Sequence, residues 1–290
     1  MNAIKLHEIK HPDRKCIAVY ESLVGIDAQK EDLIQFLLSV LDRDRIGRWE
    51  AKHYPKGLAL ADALKQRSPF VILAGEVGCG KTALATSVGS AIAAATNARV
   101  VSVETPSDIR GGGMVGELSS RVTSAFAEAQ SVVGKNLGIL IIDEGDDVGT
   151  SRSQMQAHHE DRAGLNVLIK EIDGLARHDA RIAVLLITNR LAALDPALIR
   201  RAHVVTFHRP DEQARRALFM HLLKGIAHSA RDVDELVEVS AKEPAFSFSD
   251  IVHRGMDIVV RSAIQHDQPI SVPRLKAVLA ALVPTPLVEP

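Results

Sequence analysis

The sequence lacks most of the features that mark secreted and membrane proteins. It contains two cysteines, Cys16 and Cys79, whose spacing fits no metal site and indicates a reducing compartment. No apolar run reaches the ~20 residues of a transmembrane helix, and the N-terminus has no signal-peptide core. These absences predict a cytoplasmic protein without a membrane segment.

Charge of one sign and aromatic residues are also scarce. Lys and Arg number 35 against 36 Asp and Glu, and aromatic residues make up 3%. The chain therefore has neither the bulk positive charge nor the stacking side chains that favour nucleic acid as a direct ligand. Its 290 residues, 46% of them hydrophobic, can bury a sizeable core without disulfides or a structural metal.

Five short apolar runs alternate with helical segments. Because the runs are continuous instead of alternating, they predict a five-stranded parallel sheet covered on both faces, an α/β fold. After residue 210 only helical patterns follow. We therefore expect an N-terminal extension, an α/β domain, a small all-helical domain and a disordered tail, with boundaries at 1–20, 21–208, 209–283 and 284–290. The predicted strands are 70–74, 99–103, 138–143, 182–187 and 204–207.

The strongest motif matches the P-loop pattern G-x4-G-K-[ST]. It reads Gly75-Glu76-Val77-Gly78-Cys79-Gly80-Lys81-Thr82, follows a predicted strand and precedes a predicted helix that starts at Ala83. In such a loop the backbone N–H groups and the helix N-terminus face the phosphates. We expect Lys81 to neutralise the β- and γ-phosphates of ATP and Thr82 to bind Mg²⁺.

Two carboxylates, Asp143 and Glu144, follow the apolar run at 139–142. Acids at the carboxyl end of a parallel strand lie where open α/β sheets bind ligands. We expect Asp143 to orient Mg²⁺ and Glu144 to polarise the attacking water as a general base. Asp146 and Asp147 continue the acidic run and are interpreted as solvated or capping residues.

Asn189 and two arginines extend this pattern. Asn189 ends the fourth predicted strand, which we expect beside the P-loop strand, so its side chain would position the lytic water. Arg200 and Arg201 end a short helix, and the guanidinium fork suits phosphate. Because they lie beyond the chain's own P-loop site, they are predicted to reach a neighbouring subunit's nucleotide. Taken alone, Asn189 is also typical of a turn, and the arginines are typical of a solvated helix end.

From about Tyr20 to about Val283, the order of these motifs resembles that of AAA+ ATPases. The resemblance implies a P-loop AAA+ domain with a helical lid, ATP and Mg²⁺ as cofactors, and a homo-hexameric ring. It implies that Val24, Gly25 and Ile26 lie against the adenine. It also implies that Arg201, and secondarily Arg200, acts as an arginine finger in trans.

The stretch Gly111-Gly-Gly-Met114-Val115-Gly116 resembles the first pore loop of this family, in which an aromatic residue precedes a hydrophobic residue and a glycine. Met114 replaces the aromatic residue. Methionine adheres to varied apolar surfaces, so a role in gripping a protein substrate is expected. A glycine-rich turn before the next helix is the alternative interpretation.

Within AAA+ proteins, residues 165–175 and 201–207 resemble the pachytene-checkpoint, or thyroid-receptor-interacting, ATPases that remodel HORMA-domain proteins. The eukaryotic members carry a substrate-binding N-terminal domain, whereas this P-loop begins at residue 75. The resemblance is therefore to the compact bacterial form. That form accompanies HORMA proteins and nucleotide second-messenger synthases in anti-phage defence.

The sequence thus predicts an ATP-hydrolysing hexameric remodeller that threads or unfolds a protein substrate, with a HORMA-domain protein as the implied partner. A Rubisco-activase-like remodeller and a nucleic-acid-associated loader are the alternatives. A loader would need a DNA-binding extension or a basic cluster, and neither is visible. A non-hydrolysing scaffold is disfavoured because Lys81, Asp143, Glu144 and Asn189 occur together.

Overall fold

The computed structural model describes residues 5–106, 116–146, 159–177 and 181–287. A sheet flanked by helices is followed by a group of helices. In chain order the elements are β1 (His7–His11), α1 (Arg14–Ser22), α2 (Asp27–Leu41), α3 (Arg43–His53), α4 (Ala59–Lys65), β2 (Phe70–Gly75), α5 (Lys81–Thr96), β3 (Val100–Glu104), α6 (Glu117–Val133), β4 (Leu137–Ile142), α7 (His159–Arg177), β5 (Ile182–Thr188), a 3₁₀ turn (Leu191–Ala193), α8 (Pro196–Ile199), β6 (His203–Phe207), α9 (Glu212–Leu222), α10 (Ala230–Val239), a π-helical segment (Asp250–Met256), α11 (Asp257–Gln265) and α12 (Val272–Ala281).

The sheet has six strands in the order β1-β3-β4-β5-β2-β6. The five predicted strands are present, and every pairing of one of them with another is parallel, which confirms the expected α/β fold. β5 pairs with β2, so the predicted neighbour of the P-loop strand is also confirmed. Among the described residues no helix is long and apolar enough to cross a membrane.

The sixth strand, β1, was not predicted. It pairs antiparallel with β3 at the edge of the sheet and belongs to the segment interpreted as an unpatterned extension. Four of its five residues, His-Glu-Ile-Lys, are only partly buried or exposed, because an edge strand can face solvent. A strand of this kind has no apolar run, so its assignment depends on backbone pairing with β3.

Two apolar layers cover the sheet because successive side chains of each strand point to opposite faces. In β2, Val71 and Leu73 pack with α2 and α5 on one face. Phe70, Ile72 and Ala74 pack with α6 and α7 on the other face. All five side chains are at most 1% exposed. This two-sided burial explains why the strands read as continuous apolar runs.

Helices α9–α12 have their own apolar cluster around Phe219, Leu236 and Leu275. We call residues 209–281 the lid. The segment that follows, residues 282–287, packs against the lid instead of extending as a disordered tail, which corrects that expectation for the part that is described. Thr285 donates a hydrogen bond through Oγ1 to Asp250 Oδ1 at 2.6 Å. Residues 282–287 are called the C-terminal strap below.

His11, at the end of β1, joins the N-terminal segment to the rest of the α/β layer. It is 3% exposed, and its ring nitrogens lie 2.8 Å from Ser90 Oγ and 2.9 Å from Ser102 Oγ. The pKa of His11 is lowered, mainly by burial. Gly89 provides the space for the ring, because a Cβ at that position would lie 2.5 Å from His11 Nε2.

Gly89→Ala should therefore overpack this contact and lower the free energy of unfolding by about 1–3 kcal/mol. Gly47→Ala is the matched control, since Gly47 lies within α3 and a Cβ there has no neighbour within 4 Å. That control should leave stability unchanged or raise it by up to about 1 kcal/mol. Urea titrations of both variants measure the difference. Equal stability of the two variants would contradict the assigned packing of His11.

Candidate nucleotide-binding site

The P-loop connects β2 to α5 and has the backbone of an anion-binding loop. Gly75, Gly78 and Gly80 have φ values of 133°, 74° and 91°, which L side chains rarely adopt. A Cβ on Gly75 would overlap the carbonyl oxygen of Phe207, and one on Gly78 would lie 2.7 Å from Ser249 Cβ. The first two glycines are thus required by close contacts as well as by conformation.

Lys81 opens α5 and is 5% exposed. Its Nζ donates hydrogen bonds to the carbonyl oxygens of Gly75 and Glu76, both at 2.7 Å. Burial lowers the pKa of Lys81, and the nearby carboxylates of Asp143, Glu76 and Asp146 oppose that shift. The ammonium group is therefore held against the loop, with one donor remaining for a phosphate oxygen.

Thr82 and Asp143 meet across the two motifs. Thr82 Oγ1 donates to Asp143 Oδ2 at 2.9 Å, which joins the start of α5 to the end of β4. One hydroxyl and one carboxylate fit Mg²⁺, which keeps several waters and binds to few protein oxygens together with phosphates. The described residues contain no cluster of three or more His, Cys, Asp or Glu that could hold a metal by itself.

Glu144 and Asn189 lie at the ends of adjacent strands, β4 and β5. Glu144 is exposed, its N–H donates to Asp143 Oδ1 at 2.8 Å, and its φ is 53°. A left-handed conformation is uncommon for a residue other than glycine, and such positions cluster at functional sites. Asn189 is exposed as well and lines the cleft described below.

The sequence analysis interpreted Asp146 as a solvated or capping residue, and the structure gives its side chain a specific partner. Its Oδ1 accepts a hydrogen bond from Thr188 Oγ1, and Thr188 Oγ1 in turn accepts one from Arg190 N–H at 2.9 Å. Asp146 therefore joins the segment after β4 to the end of β5. The sequence contains no signal for this contact, because it depends on the adjacency of two strands separated by 39 residues of chain. Asp147 lies outside the described residues.

A cleft of about 600 Å³ runs from the P-loop to the lid. P-loop residues 77–83, together with Asp143 and Asn189, form one side of it, whereas Gly75 and Glu76 do not line it. Val24 and Ile26, for which the family resemblance implies a contact with the adenine, line it too. Gly25 is beside them, and a Cβ there would lie 3.0 Å from Ala214 Cβ in α9. The volume lies in the range of ligand pockets, roughly 300–1,000 Å³.

The remaining lining of the cleft was not predicted. It is formed by residues of α1 and the segment after it, of β5, of α9, of the lid loop and of the π-helical segment, and it includes an exposed histidine. The sequence analysis did not assign these residues to the site. The added lining residues are Val19, Ser22, Leu23, Ile187, Leu218, Phe248, Ser249, Val252 and His253.

Cys79 and Arg254 are held by packing or pairing within the protein. Cys79 is 1% exposed, and burial raises the pKa of its thiol to about 11, so the sulfur packs as a neutral group. Arg254, an arginine of the π-helical segment, does not line the cleft. Its Nη1 donates to Asp250 Oδ1 at 2.5 Å, which occupies the guanidinium within the lid.

The arginines at the end of α8 differ in their contacts. Arg201 forms a two-point ion pair with Asp173 of α7, with Nε–Oδ1 and Nη2–Oδ2 distances of 3.0 and 3.2 Å, and Nη1 donates to Ala197 O. Arg200 is exposed, and its side chain makes no hydrogen bond or ion pair within the described parts of the chain, although its backbone N–H donates to Pro196 O at 3.1 Å. Neither residue lines the cleft of its own chain.

The pore-loop residues Met114 and Val115 lie outside the described residues. Gly116 is described, with a φ of 81°, and precedes the first residue of α6. A Cβ at Gly116 would have no neighbour within 4 Å, so its conformation, and not crowding, favours glycine.

A P-loop beside a carboxylate-ending strand, on a parallel sheet covered by a helical lid, defines a P-loop nucleotide-binding ATPase fold. Residues 71–209 match the family described as "ATPase family associated with various cellular activities (AAA)". ATP binding, usually with Mg²⁺, is what that family implies.

The similar proteins narrow the family further. The chain is 36% identical to "CD-NTase-associated protein 6" of Escherichia coli strain MS 115-1, over 96% of this chain and 94% of that protein. The chain therefore belongs to the AAA family, among the Trip13-like CD-NTase-associated protein 6 relatives.

Two solved structures are similar over nearly their whole length. The "Structure of E. coli MS115-1 HORMA:CdnC:Trip13 complex" includes a chain with a TM-score of 0.91 and 35% identity, covering 98% of each chain. The "Structure of Rhizobiales Trip13" has a TM-score of 0.75 and 29% identity, covering 97% of this chain and 98% of the other. The resemblance stated from the sequence motifs is thereby confirmed.

Lys81 and Glu144 should separate nucleotide binding from hydrolysis. Lys81→Ala removes a charge-assisted contact worth about 1.5–3 kcal/mol, so the affinity for ATP should fall at least about tenfold. Glu144→Gln should still bind ATP, whereas turnover should fall by about 10²–10⁴ because general base catalysis is lost. Isothermal titration and phosphate release measure the two effects.

Glu238→Gln is the matched control for the second variant, because Glu238 is exposed on α10, away from the cleft. It should bind and hydrolyse ATP like the wild type. Normal turnover by Glu144→Gln would exclude Glu144 as the general base.

Proposed function

We propose that this chain is an ATP-hydrolysing AAA+ protein remodeller that acts as a homo-hexameric ring on a HORMA-domain protein in bacterial anti-phage signalling. The observation that carries the proposal is the Thr82–Asp143 hydrogen bond beside the buried Lys81, within an AAA fold. We also propose that the chain divides into an N-terminal extension at 1–20, a large α/β domain at 21–208, a helical domain at 209–283 that contains the lid, and a tail at 284–290.

For ATP hydrolysis, each proposed residue has a role that its position supports. The N–H groups of residues 77–83 and the N-terminus of α5 bind the phosphates, and Lys81 adds positive charge. Thr82 and Asp143 would hold Mg²⁺, which when bound neutralises charge on the phosphates. Glu144 accepts a proton from the attacking water, and Asn189 orients that water from the neighbouring strand.

For the ring, the arginines support a site shared between subunits. Arg200 and Arg201 lie outside the cleft of their own chain, and the Arg200 side chain has no partner in the part of the chain that the structure describes. Guanidinium groups are suited to bind phosphate oxygens with two parallel hydrogen bonds. In the proposed hexamer each subunit inserts these side chains into the nucleotide site of the next subunit.

Mixing two inactive variants should restore ATP hydrolysis if the arginines act in trans. Arg201→Ala subunits keep a complete P-loop, and Lys81→Ala subunits keep the arginines, so some sites in a mixed ring are complete. An arginine finger contributes about 10³–10⁵ in rate, so the rescue should be large relative to either variant alone. Phosphate release from mixed rings, with assembly verified by native mass spectrometry, measures it.

A mixture of Lys81→Ala and Glu144→Gln subunits is the control. Both defects lie within the same site, so no site in this mixed ring is complete and no rescue is expected. Equal activity of the two mixtures, or full activity of an isolated monomer, would contradict the shared site.

The proposed partner comes from the similar proteins. One similar structure is a complex whose description names HORMA and CdnC together with Trip13, and its Trip13-like chain matches 98% of this chain. We propose that this chain binds a HORMA-domain protein in the same way. Met114, Val115 and Gly116 would grip a flexible end of that protein in the central pore. ATP hydrolysis does work on the substrate only if this grip differs between nucleotide states.

Met114→Ala and Val115→Asp should abolish remodelling and stimulation of the ATPase by substrate, while ATP is still hydrolysed. A dissociation assay on a HORMA–partner complex, run beside a phosphate-release assay, measures both activities. Lys81→Ala serves as the comparison that should lose both. Rings carrying the pore-loop substitutions that dismantle the complex at the normal rate would show that threading through this loop is wrong.

A further inference from the structure

The P-loop contains an acidic residue, Glu76, at a position where negative charge opposes phosphate binding. Glu76 does not line the cleft, and its side chain is 25% exposed. Its backbone carbonyl holds Lys81 Nζ at 2.7 Å, so the carboxylate belongs to the residue that contacts the lysine. An uncompensated carboxylate this close would weaken the positive potential of the loop.

One cation faces that carboxylate. Arg209 Nε lies 3.6 Å from Glu76 Oε2, and the Arg209 side chain is 8% exposed. Neither of these two atoms has a hydrogen-bond partner, although both are buried. Arg209 and Glu76 thus form an ion pair without a hydrogen bond. The two facing atoms are shielded from water, so compensation of the carboxylate charge matters more here than at the surface.

The same guanidinium is held by two other segments of the chain. Nη1 donates to Ala245 O, in the lid loop, at 2.6 Å. Nη2 donates to Thr285 O at 2.6 Å and to Pro286 O at 3.1 Å, in the C-terminal strap. Arg209 also follows β6 after a single residue, at the start of the lid. One side chain therefore contacts the P-loop, the lid and the strap.

The strap is itself attached to the lid through Asp250, which is fully buried. Burial alone would raise the pKa of Asp250, but hydrogen bonds from Thr285, Ser247 and Arg254 lower it to about 2. Asp250 therefore stays ionised and continues to bind the strap at neutral pH. Two of the three carbonyl oxygens that accept from Arg209, those of Thr285 and Pro286, therefore belong to the segment that Asp250 holds in place.

We propose that Arg209 is a positioning residue of the nucleotide site, which neutralises Glu76 of the P-loop while the lid loop and the C-terminal strap hold its guanidinium. The P-loop then has its full affinity for phosphate only when lid and strap are docked. This inference rests on the nucleotide binding proposed above. It adds a link, through Arg209, between the P-loop and the C-terminal strap, and this link is not part of the P-loop motif.

The test is the affinity for ADP with Mg²⁺, measured by calorimetry on the full chain. Arg209→Gln leaves the Glu76 carboxylate unpaired, so affinity should fall by about tenfold or more. Arg209→Lys keeps the positive charge but loses the planar fork that the lid loop and the strap hold, so its affinity should lie between those of the wild type and Arg209→Gln. Adding Glu76→Gln to Arg209→Gln removes the unpaired charge and should return the affinity to within about threefold of the wild type.

Two measurements separate this charge effect from a packing defect. Arg216→Gln is the matched control, since Arg216 pairs with Asp234 on the lid surface, and it should bind ADP normally. Hydrogen exchange of residues 282–287 should rise in Arg209→Gln and stay high in the double variant, because Glu76→Gln restores the charge balance but not the donors to the strap.

The proposal is supported if the double variant regains ADP affinity while hydrogen exchange of residues 282–287 stays high. Normal affinity of Arg209→Gln, or a double variant as weak as Arg209→Gln, would overturn it and leave the ATPase proposal intact. A wild-type chain that binds no ADP would instead overturn the proposed ATPase itself. Loss of affinity in Arg209→Lys equal to that in Arg209→Gln would show that Arg209 acts by packing and would also overturn the proposal.

Discussion

The contact between the P-loop and the end of β6 is the constraint on which the site depends. Glu76 N–H donates to Phe207 O at 3.1 Å, and a Cβ on Gly75 would overlap that oxygen. The loop is therefore fixed to the sheet at its first two residues. With the loop in that position, Lys81 reaches its two carbonyl oxygens, and Thr82 reaches Asp143 across the sheet edge.

The same loop is fixed to the lid on its other side. Gly78 O accepts a hydrogen bond from Ser249 N–H at 3.0 Å, and Gly78 has no space for a side chain against Ser247 and Ser249. The cleft lies between these two attachments and is lined by both the α/β layer and the lid. A change in lid position therefore changes the shape of the cleft. This geometry gives the proposed ATPase a direct route from bound nucleotide to movement.

The outer face of the α/β layer carries the groups proposed to act between subunits. The ion pair of Arg201 with Asp173 is partly exposed, with side chains 28% and 37% accessible, so its contribution to stability is small. A neighbouring phosphate, with more charge than one carboxylate, is a better partner for that guanidinium. The contacts with Asp173 and Ala197 thus order the Arg201 side chain, and little free energy is lost when the guanidinium exchanges Asp173 for a phosphate.

The sequence by itself determined the features that depend on local pattern. The continuous apolar strands reflect burial on both faces, and the P-loop glycines reflect conformations that other residues rarely adopt, so both can be read from the chain. Asp143, Glu144 and Asn189 could be assigned because the carboxyl ends of parallel strands share one edge. The motif order was sufficient to identify the AAA family, which the similar proteins confirmed.

Only the tertiary structure decided the contacts between distant segments. β1 has no apolar pattern and forms because β3 offers free backbone groups. Asp146 meets Thr188 because their strands are neighbours. Arg209 joins residues 76, 245 and 285, which no sequence spacing relates. A polar side chain has no periodicity that reveals its partner, so such contacts follow from the packing of the folded chain and not from the local sequence.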